Sequence, residues 1–209
     1  MLSTPFDEDR WRHRLLLVLL ESVLIVMGVL LGYFANQYRI AQQNQERADA
    51  ALQAIHTELR SNYRQVRDLL PEHRRMEDSL DGLVQRIATG QEDRVSAAEF
   101  RRRVVSQSGF STPLLRTDAW EIAKETGSIN HIDVELASDL SRLYNQQEYY
   151  QSKLDKVGEN WYVSGNVNPS NFASTVFATG ILVNDIVNQE EDLIERYQKV
   201  LDSLGESGV

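Results

Sequence analysis

The chain has 209 residues, of which 42% are hydrophobic and 25% are charged, and its formal net charge is −9. This acidic balance argues against nucleic-acid binding, because such proteins present clustered positive charge, and the one basic run, Arg101-Arg102-Arg103, lies in an amphipathic stretch typical of a solvated helix face. The chain contains no cysteine, which excludes disulfides, thiolate metal sites and cysteine nucleophiles.

Residues 15–35, LLLVLLESVLIVMGVLLGYFA, form the most apolar stretch. Crossing about 30 Å of hydrocarbon takes about 20 helical residues, so the length predicts a transmembrane helix. Glu21 opposes insertion by about 2.5–3.5 kcal/mol, but fourteen Leu, Ile, Val and Phe residues favour it by about 0.3–0.6 kcal/mol each. A cleaved signal peptide is the alternative; the run is longer than an ordinary signal core, and no small-x-small cleavage site follows it.

The flanking charges of this segment predict its orientation. Three arginines precede it and two follow it within fifteen residues: Arg10, Arg12 and Arg14, then Arg39 and Arg47. Because positive residues beside a membrane helix favour the cytoplasm, we expect a short cytoplasmic N-terminus, residues 1–14, and an extracytoplasmic remainder.

One face of the membrane helix carries a carboxyl group and small residues. Gly28 and Gly32 form a GxxxG pair, and Glu21 and Ala35 lie seven residues before and after Gly28. Small residues at this spacing let two helices approach closely in lipid, so the face predicts contact with another copy or with another membrane protein. Glu21 has four interpretations: a hydrogen bond across that contact, an ion pair with a basic group of a partner, a proton or ion path, or solvation near the headgroups.

Residues 36–70 follow as a juxtamembrane amphipathic helix, since no Gly or Pro occurs between Tyr33 and Leu70. Its heptad seam is Ala41, Gln45, Ala48, Leu52, Ile55, Leu59, Asn62, Val66 and Leu69. The alternating spacings of four and three are typical of a coiled coil or of a helix in a bundle, and Asn62 is a candidate for fixing register. Pro71 is expected to end or kink the helix.

Residues 71–209 are predicted to be a helical soluble domain. The first expected elements are a helix over 72–89 that stops at Gly90, a capping box at 96–99 that opens a helix to about 105, and a loop over 106–116. A short helix follows, capped by Thr117 or Asp118 and ended by Gly127, and then a helix from Asp133 to Val157. The last expected elements are a loop over 158–171 and a helical region to about Leu204 with a break near Gly180. Since no stretch alternates long enough for a sheet, the sequence predicts an all-α fold in which helices bury their stripes in a bundle.

Few residues indicate chemistry. None of the four histidines pairs with another at helical metal-site spacing, and no nucleotide or hydrolase motif occurs, so we expect no metal, no cofactor and no enzymatic activity. The acidic run Glu190-Glu191-Asp192 is expected to be surface charge. Trp120 is expected in the core, while Trp161 and Tyr162 fall in a predicted loop, where packing onto the domain and contact with a ligand or partner are both open.

The block Glu21-Ser-Val-Leu-Ile-Val-Met-Gly-Val-Leu-Leu-Gly, followed by Asn36-Gln37, resembles the opening of an uncharacterised bacterial family of short single-pass membrane proteins with a domain of unknown function. A later block is also similar, running from Ala119-Trp120-Glu-Ile through Thr126-Gly127-Ser-Ile and Glu135-Leu136 to Leu143-Tyr144. Tyr38-Arg39 departs from the Trp-Asn pair common in that family. The resemblance implies a bacterial plasma-membrane location and no particular activity.

The leading hypothesis from these patterns is a membrane-anchored scaffold or interaction subunit that associates through its transmembrane face and its helical domain. Two alternatives come from other classes. One is an extracytoplasmic ligand-sensing domain that acts through a partner, which a stabilising ligand would favour. The other is a proton- or ion-path subunit that uses Glu21, in which Glu21→Gln would abolish flux but leave assembly intact.

Overall fold

A computed structural model describes residues 8–90, 100, 110–164 and 172–206. Its helices are α1 (Glu8–Ala88), α2 (Asp118–Glu125), a 3₁₀ turn (Ser128–His131), α3 (Val134–Ser164) and α4 (Phe172–Glu206). Within these residues no strand occurs, which confirms the predicted all-helical class. The predicted capping box, the short helix after it and the arginines at 101–103 lie outside the described residues.

The chain divides into two compact units, Met1–Arg47 and Ala48–Val209. In the first unit the described residues are helical, and nearly all of them are exposed. The second unit has its own hydrophobic core. It begins inside the predicted juxtamembrane segment 36–70, so residues 48–70 of that segment belong to the folded unit.

The predicted end of the helix at Pro71 is wrong, because α1 continues to Ala88 with Pro71 inside it. Proline removes one backbone hydrogen bond and crowds the preceding turn, at a cost of about 3 kcal/mol. Burial on both sides of the proline offsets this cost. Val66 and Leu80 are both fully buried, and the spacing from Leu69 to His73 and on to Met76 keeps the seam in phase.

The predicted seams form the core of the second unit, except for the start of the α1 seam, which was wrong: Ala41 and Gln45 are exposed and lie in the first unit. Leu52, Ile55, Leu59, Asn62 and Val66 of α1 are all buried. The four apolar residues among them share a hydrophobic cluster with the predicted stripes of α3 and α4, whose buried members are Leu140, Leu143, Tyr150, Leu154, Val157, Ile186, Leu193, Tyr197, Val200 and Leu204. Full burial of such side chains stabilises by about 1.5–3 kcal/mol each, so this cluster dominates the stability of the unit.

A second hydrophobic cluster lies beyond Pro71. It contains Met76, Leu80, Leu83, Phe100, Phe172, Val176, Val183 and Val187. Phe100 and Phe172 meet edge to face at a centroid distance of 5.9 Å. The first half of α4 therefore packs against the last turns of α1, while the second half belongs to the first cluster.

Two predicted irregularities are absent. Residues 158–164 were expected in a loop, yet α3 runs to Ser164, and Gly180 was expected to break a helix, yet α4 is continuous around it. Glycine and asparagine only weakly oppose a helix, and packing overrides such propensities. Residues 165–171 of the expected loop lie outside the described part of the chain.

The helix ends follow the expected local chemistry. Oδ1 of Asp133 accepts hydrogen bonds from the N–H groups of Glu135 and Leu136, at 2.9 and 3.1 Å, which confirms it as the cap of α3. Thr117 occupies the cap position of α2 without a side-chain bond. Gly90 and Gly127 follow α1 and α2 in the left-handed region, with φ of 74° and 70°.

Two glycines should respond oppositely to alanine. Gly127→Ala is expected to lower the free energy of unfolding by about 1–2 kcal/mol, because its φ of 70° is strained for an L side chain. Gly180→Ala is expected to raise it by about 0.5–1 kcal/mol, because an added Cβ makes an ordinary 3.8 Å contact with Val84 and improves helix propensity. Urea unfolding of the full-length chain in detergent measures both. A stabilising Gly127→Ala would contradict the assigned turn.

Candidate functional site

The face predicted in the membrane segment is solvent-exposed along the helix of the first unit. Glu21, Gly28, Gly32 and Ala35 are all exposed, and a Cβ added at either glycine would meet nothing within 4 Å. Of the described helices, one is long and apolar enough to span a membrane, with an 18-residue window of mean hydropathy 2.7 and 0% of that window buried.

Asn62 bonds within the chain. Its Oδ1 accepts from the N–H of Arg116 at 3.0 Å, and its Nδ2 donates to the carbonyl of Arg116 at 2.7 Å and to Oε1 of Gln147 at 3.1 Å. The hydroxyl of Tyr197 donates to the same Gln147 oxygen at 2.6 Å. Asn62 therefore connects α1 to the segment that precedes α2 and to α3, while its predicted role in fixing the register of a coiled coil stays a prediction.

Gln65 repeats this pattern one turn later. Its Nε2 donates to the carbonyl of Leu114, and its Oε1 accepts from the N–H of Leu114, both at 3.0 Å. Asn62 and Gln65 thus bind the N–H and C=O groups of two alternate residues, Arg116 and Leu114, just as a β-strand bonds alternate residues of its neighbour. We call this arrangement the amide clamp.

Glu58 extends the same array. It is 7% exposed, its Oε2 accepts from the N–H of Ala119 at 2.9 Å, and its Oε1 accepts from the hydroxyl of Tyr144 at 2.7 Å. The carboxylate therefore satisfies a free N–H at the start of α2 from a different helix, where negative charge is favourable. Trp120 stacks on Tyr144 at a centroid distance of 5.1 Å and is buried, as predicted.

A second polar cluster joins α1, α3 and α4. Nδ1 of His73 lies 2.6 Å from Oε1 of Glu190, and the hydroxyl of Tyr150 donates to the same oxygen at 2.6 Å. His73 and Glu190 are both 0% exposed, and Phe110 stacks on the imidazole at 4.6 Å. Oε2 of Glu190 has no hydrogen-bond partner among the described residues.

The hydrogen bonds restrict the protonation of this cluster. Nε2 of His73 lies 3.0 Å from the carbonyl oxygen of Ser111, which can only accept, so Nε2 carries a proton. One further proton must lie between Nδ1 and Glu190, since two lone pairs at 2.6 Å would repel. The pair is then neutral as a unit, whether it is imidazolium with carboxylate or imidazole with carboxylic acid. Neither ring nitrogen is left to act as a general base.

The buried phenols remain donors over a wide pH range. Burial is the largest cause that raises the pKa of Tyr144, and the nearby Glu58 raises it further. Burial is likewise the largest cause that raises the pKa of Tyr150, and the nearby Glu190 raises it further. Burial also raises the pKa of Tyr197. Each phenol keeps its proton to higher pH than a free tyrosine, which has a pKa of about 10.

Sequence analysis missed the role of Glu190, which was expected to be surface charge with Glu191 and Asp192. The hydrophobic spacing already placed Glu190 on a buried helix face, because it lies four residues after Ile186 and three before Leu193, both on the predicted stripe. A charged residue at a core position indicates a buried partner, and His73 falls on the corresponding seam of α1. Periodicity could have located both side chains but could not have paired them across 117 residues.

Trp161 and Tyr162 lie in α3, although they were predicted in a loop. Their side chains lie outside the described part of the structure. The structure instead contains a groove of about 320 Å³ between α2 and α3, lined by Leu115, Thr117, Trp120, Glu121, Lys124, Tyr144, Asn145, Gln147, Glu148 and Gln151. The stacked rings of Trp120 and Tyr144 are part of its wall.

Among the described residues no three His, Asp or Glu side chains are grouped as a metal ion requires. Comparison of the chain with protein-family models, curated proteins and solved structures gives no significant match. Two features of this chain bear on its function: the exposed apolar helix of the first unit and the groove of the second unit.

Proposed function

We propose that this chain is a membrane-anchored interaction subunit without catalytic activity. Residues 15–35 lie in the bilayer, and the second unit is a helical bundle that binds a protein partner or another copy. The observation that carries the proposal is the 18-residue window of mean hydropathy 2.7 with no buried residue, in a chain whose second unit buries its own apolar stripes. Exposed apolar surface of this length is unfavourable in water and favourable in hydrocarbon.

The proposed location is a bacterial plasma membrane, with residues 1–14 in the cytoplasm and the second unit outside it. The orientation follows from the excess of arginines before the segment. The bacterial assignment follows from the resemblance of the Glu21–Gly32 block and the Trp120–Tyr144 block to the single-pass family.

The face Glu21, Gly28, Gly32 and Ala35 is the proposed contact within the membrane. Hydrophobic burial does not drive helix association in lipid, so close packing and interhelical hydrogen bonds must supply the affinity. The open space around Gly28 and Gly32 lets another backbone approach. Glu21 then gains a hydrogen-bond partner that lipid does not offer.

Gly28→Leu is expected to weaken association by at least about tenfold, or about 1.4 kcal/mol, because the larger side chain holds the partner helix away. Native mass spectrometry of the full-length protein, gently extracted from its membrane, measures the assembly, and proteomics identifies any second subunit. Val29→Leu is the matched control, since it adds bulk one residue away and off this face. An assembly unchanged by both substitutions would refute the proposed contact.

Glu21→Gln separates the possible roles of the carboxyl group. If Glu21 stabilises the contact, the substitution lowers the assembled fraction. If the chain conducts protons, flux into proteoliposomes falls while the mass of the assembly is unchanged. If neither quantity changes, Glu21 is only solvated near the headgroups and the contact depends on the glycines.

A further inference from the structure

We propose that the groove between α2 and α3 binds an extended, basic peptide segment of a protein partner. The inference rests on the interaction role proposed above and names the class of partner. At about 320 Å³ the groove is at the lower end of the usual range for ligand sites, about 300–1,000 Å³.

Hydrogen-bonding side chains that have no protein partner among the described residues line the groove. Asn145, Glu148 and Gln151 project into it from α3 at intervals of three residues, and Thr117 lines it where α2 begins. None of these four side chains makes a hydrogen bond or ion pair within the described residues. The neighbouring Gln147, in contrast, is buried and has all its polar atoms bonded to Asn62, Arg116 and Tyr197.

The amide clamp shows how this spacing recognises a peptide. Asn62 and Gln65, three residues apart on a helix, bind the alternate backbone amides of Arg116 and Leu114 through paired hydrogen bonds. Asn145 and Glu148 have the same three-residue spacing on α3, and Glu148 and Gln151 repeat it. A peptide that runs along α3 can therefore bond through alternate backbone groups, to the amides of Asn145 and Gln151 and to the carboxylate of Glu148.

The charge of the groove selects a basic segment. Nζ of Lys124 is bonded to Glu121 at 2.9 Å and lies 5.7 Å from the centroid of Trp120, so this cation is already neutralised. Glu148 is then the one carboxylate in the groove without a cation among the described residues. Arginine in the bound segment would pair with Glu148 by charge-assisted hydrogen bonds, which are about twice as strong as neutral ones.

The groove has a firm wall. Trp120 stacks on Tyr144 with an angle of 9° between the rings, and both side chains are at least nine-tenths buried. Tyr144 is held in turn by Glu58. Because the wall is already ordered, binding loses less conformational entropy, so a short segment can bind without rearranging α2 or α3.

The test uses the full-length protein in detergent and two fluorescent pools of acetylated, amidated random pentapeptides, one with Arg fixed at the centre and one with Glu. We expect the Arg pool to bind at least about tenfold more tightly than the Glu pool in anisotropy titrations. Glu148→Gln should remove this difference, and the double variant Asn145→Ala, Gln151→Ala should weaken the Arg pool by at least about tenfold. Glu135→Gln, an exposed change near the start of the same helix, is the control.

Equal binding of the two pools, no binding of either, or binding unaffected by all the groove variants would overturn this proposal. Circular dichroism of each variant shows whether it has folded, and a folded variant with wild-type binding counts against the site. The oligomer measurement with Gly28→Leu is unaffected by any of these results. Failure of the groove proposal is therefore distinct from failure of the membrane contact.

Discussion

His73→Leu is expected to lower the free energy of unfolding by about 3–5 kcal/mol, among the largest effects of a single substitution in this chain. The imidazole is 0% exposed and shares a proton with Glu190 across 2.6 Å. Its removal leaves a fully buried carboxyl group with Tyr150 as its remaining hydrogen-bond donor among the described residues. Urea unfolding of the full-length chain, followed by tryptophan fluorescence to which the buried Trp120 contributes, measures the change.

Arg74→Leu is the matched control for this prediction. The Arg74–Glu191 pair joins the same two helices one residue later, also at 2.6 Å, but its side chains are 55% and 44% exposed. Exposed ion pairs typically contribute about 0–1 kcal/mol, so Arg74→Leu should cost no more than that. Equal losses for the two substitutions would show that the buried pair has no special role. The double variant His73→Leu, Glu190→Leu should cost less than the sum of its single variants, since it removes the buried carboxyl group together with the imidazole that pairs with it.

Asn62→Ala is expected to lower the free energy of unfolding by about 2–3 kcal/mol, because it leaves a partly buried N–H of Arg116 without a partner and removes three hydrogen bonds. Backbone amides of residues 114–117 should then exchange with deuterium faster, because the amide clamp loses one of its two members. Gln65→Ala is the control. It removes two bonds to Leu114, which is open to water, and should cost about 1 kcal/mol or less.

The same variant discriminates between two roles of a seam asparagine. In a coiled coil between chains, such an asparagine sets the oligomeric state, so its removal changes the number of chains. In this structure Asn62 bonds to Arg116 and Gln147 of its own chain, so Asn62→Ala should leave the native mass of the assembly unchanged. A changed mass together with unchanged stability would favour the coiled coil instead.

Periodicity in the sequence located most of the buried helical faces but not all of the helix ends. Leu52, Ile55, Leu59 and Val66 of α1 are buried as predicted, and so is the stripe of α4 from Ile186 to Leu204. Hydrophobic spacing works for this purpose because burial of one face decides which residues of an amphipathic helix are apolar. The apolar segment 15–35 was equally clear, since its composition needs no partner to interpret it.

Helix-breaking residues were less informative than the hydrophobic pattern, because packing of the helix can outweigh their local cost. Pro71 and Gly180 both suggested an end or a break, yet α1 and α4 continue through them. Their cost is local and amounts to a few kcal/mol at most, whereas the buried seams on both sides contribute through many residues. The uninterrupted phase of the seam from Val66 through His73 to Leu83 was the better guide.

The sequence by itself determined an all-helical chain with one apolar helix long enough for a membrane and several stripes to bury. Only the tertiary structure decided what the polar residues on those stripes do. It pairs His73 with Glu190, places Asn62 against Arg116, and brings Thr117 to the same groove as Gln151. Hydrophobic burial is non-directional and leaves a periodic trace along the chain, whereas a hydrogen bond depends on two atoms that residues far apart in sequence bring within about 3 Å.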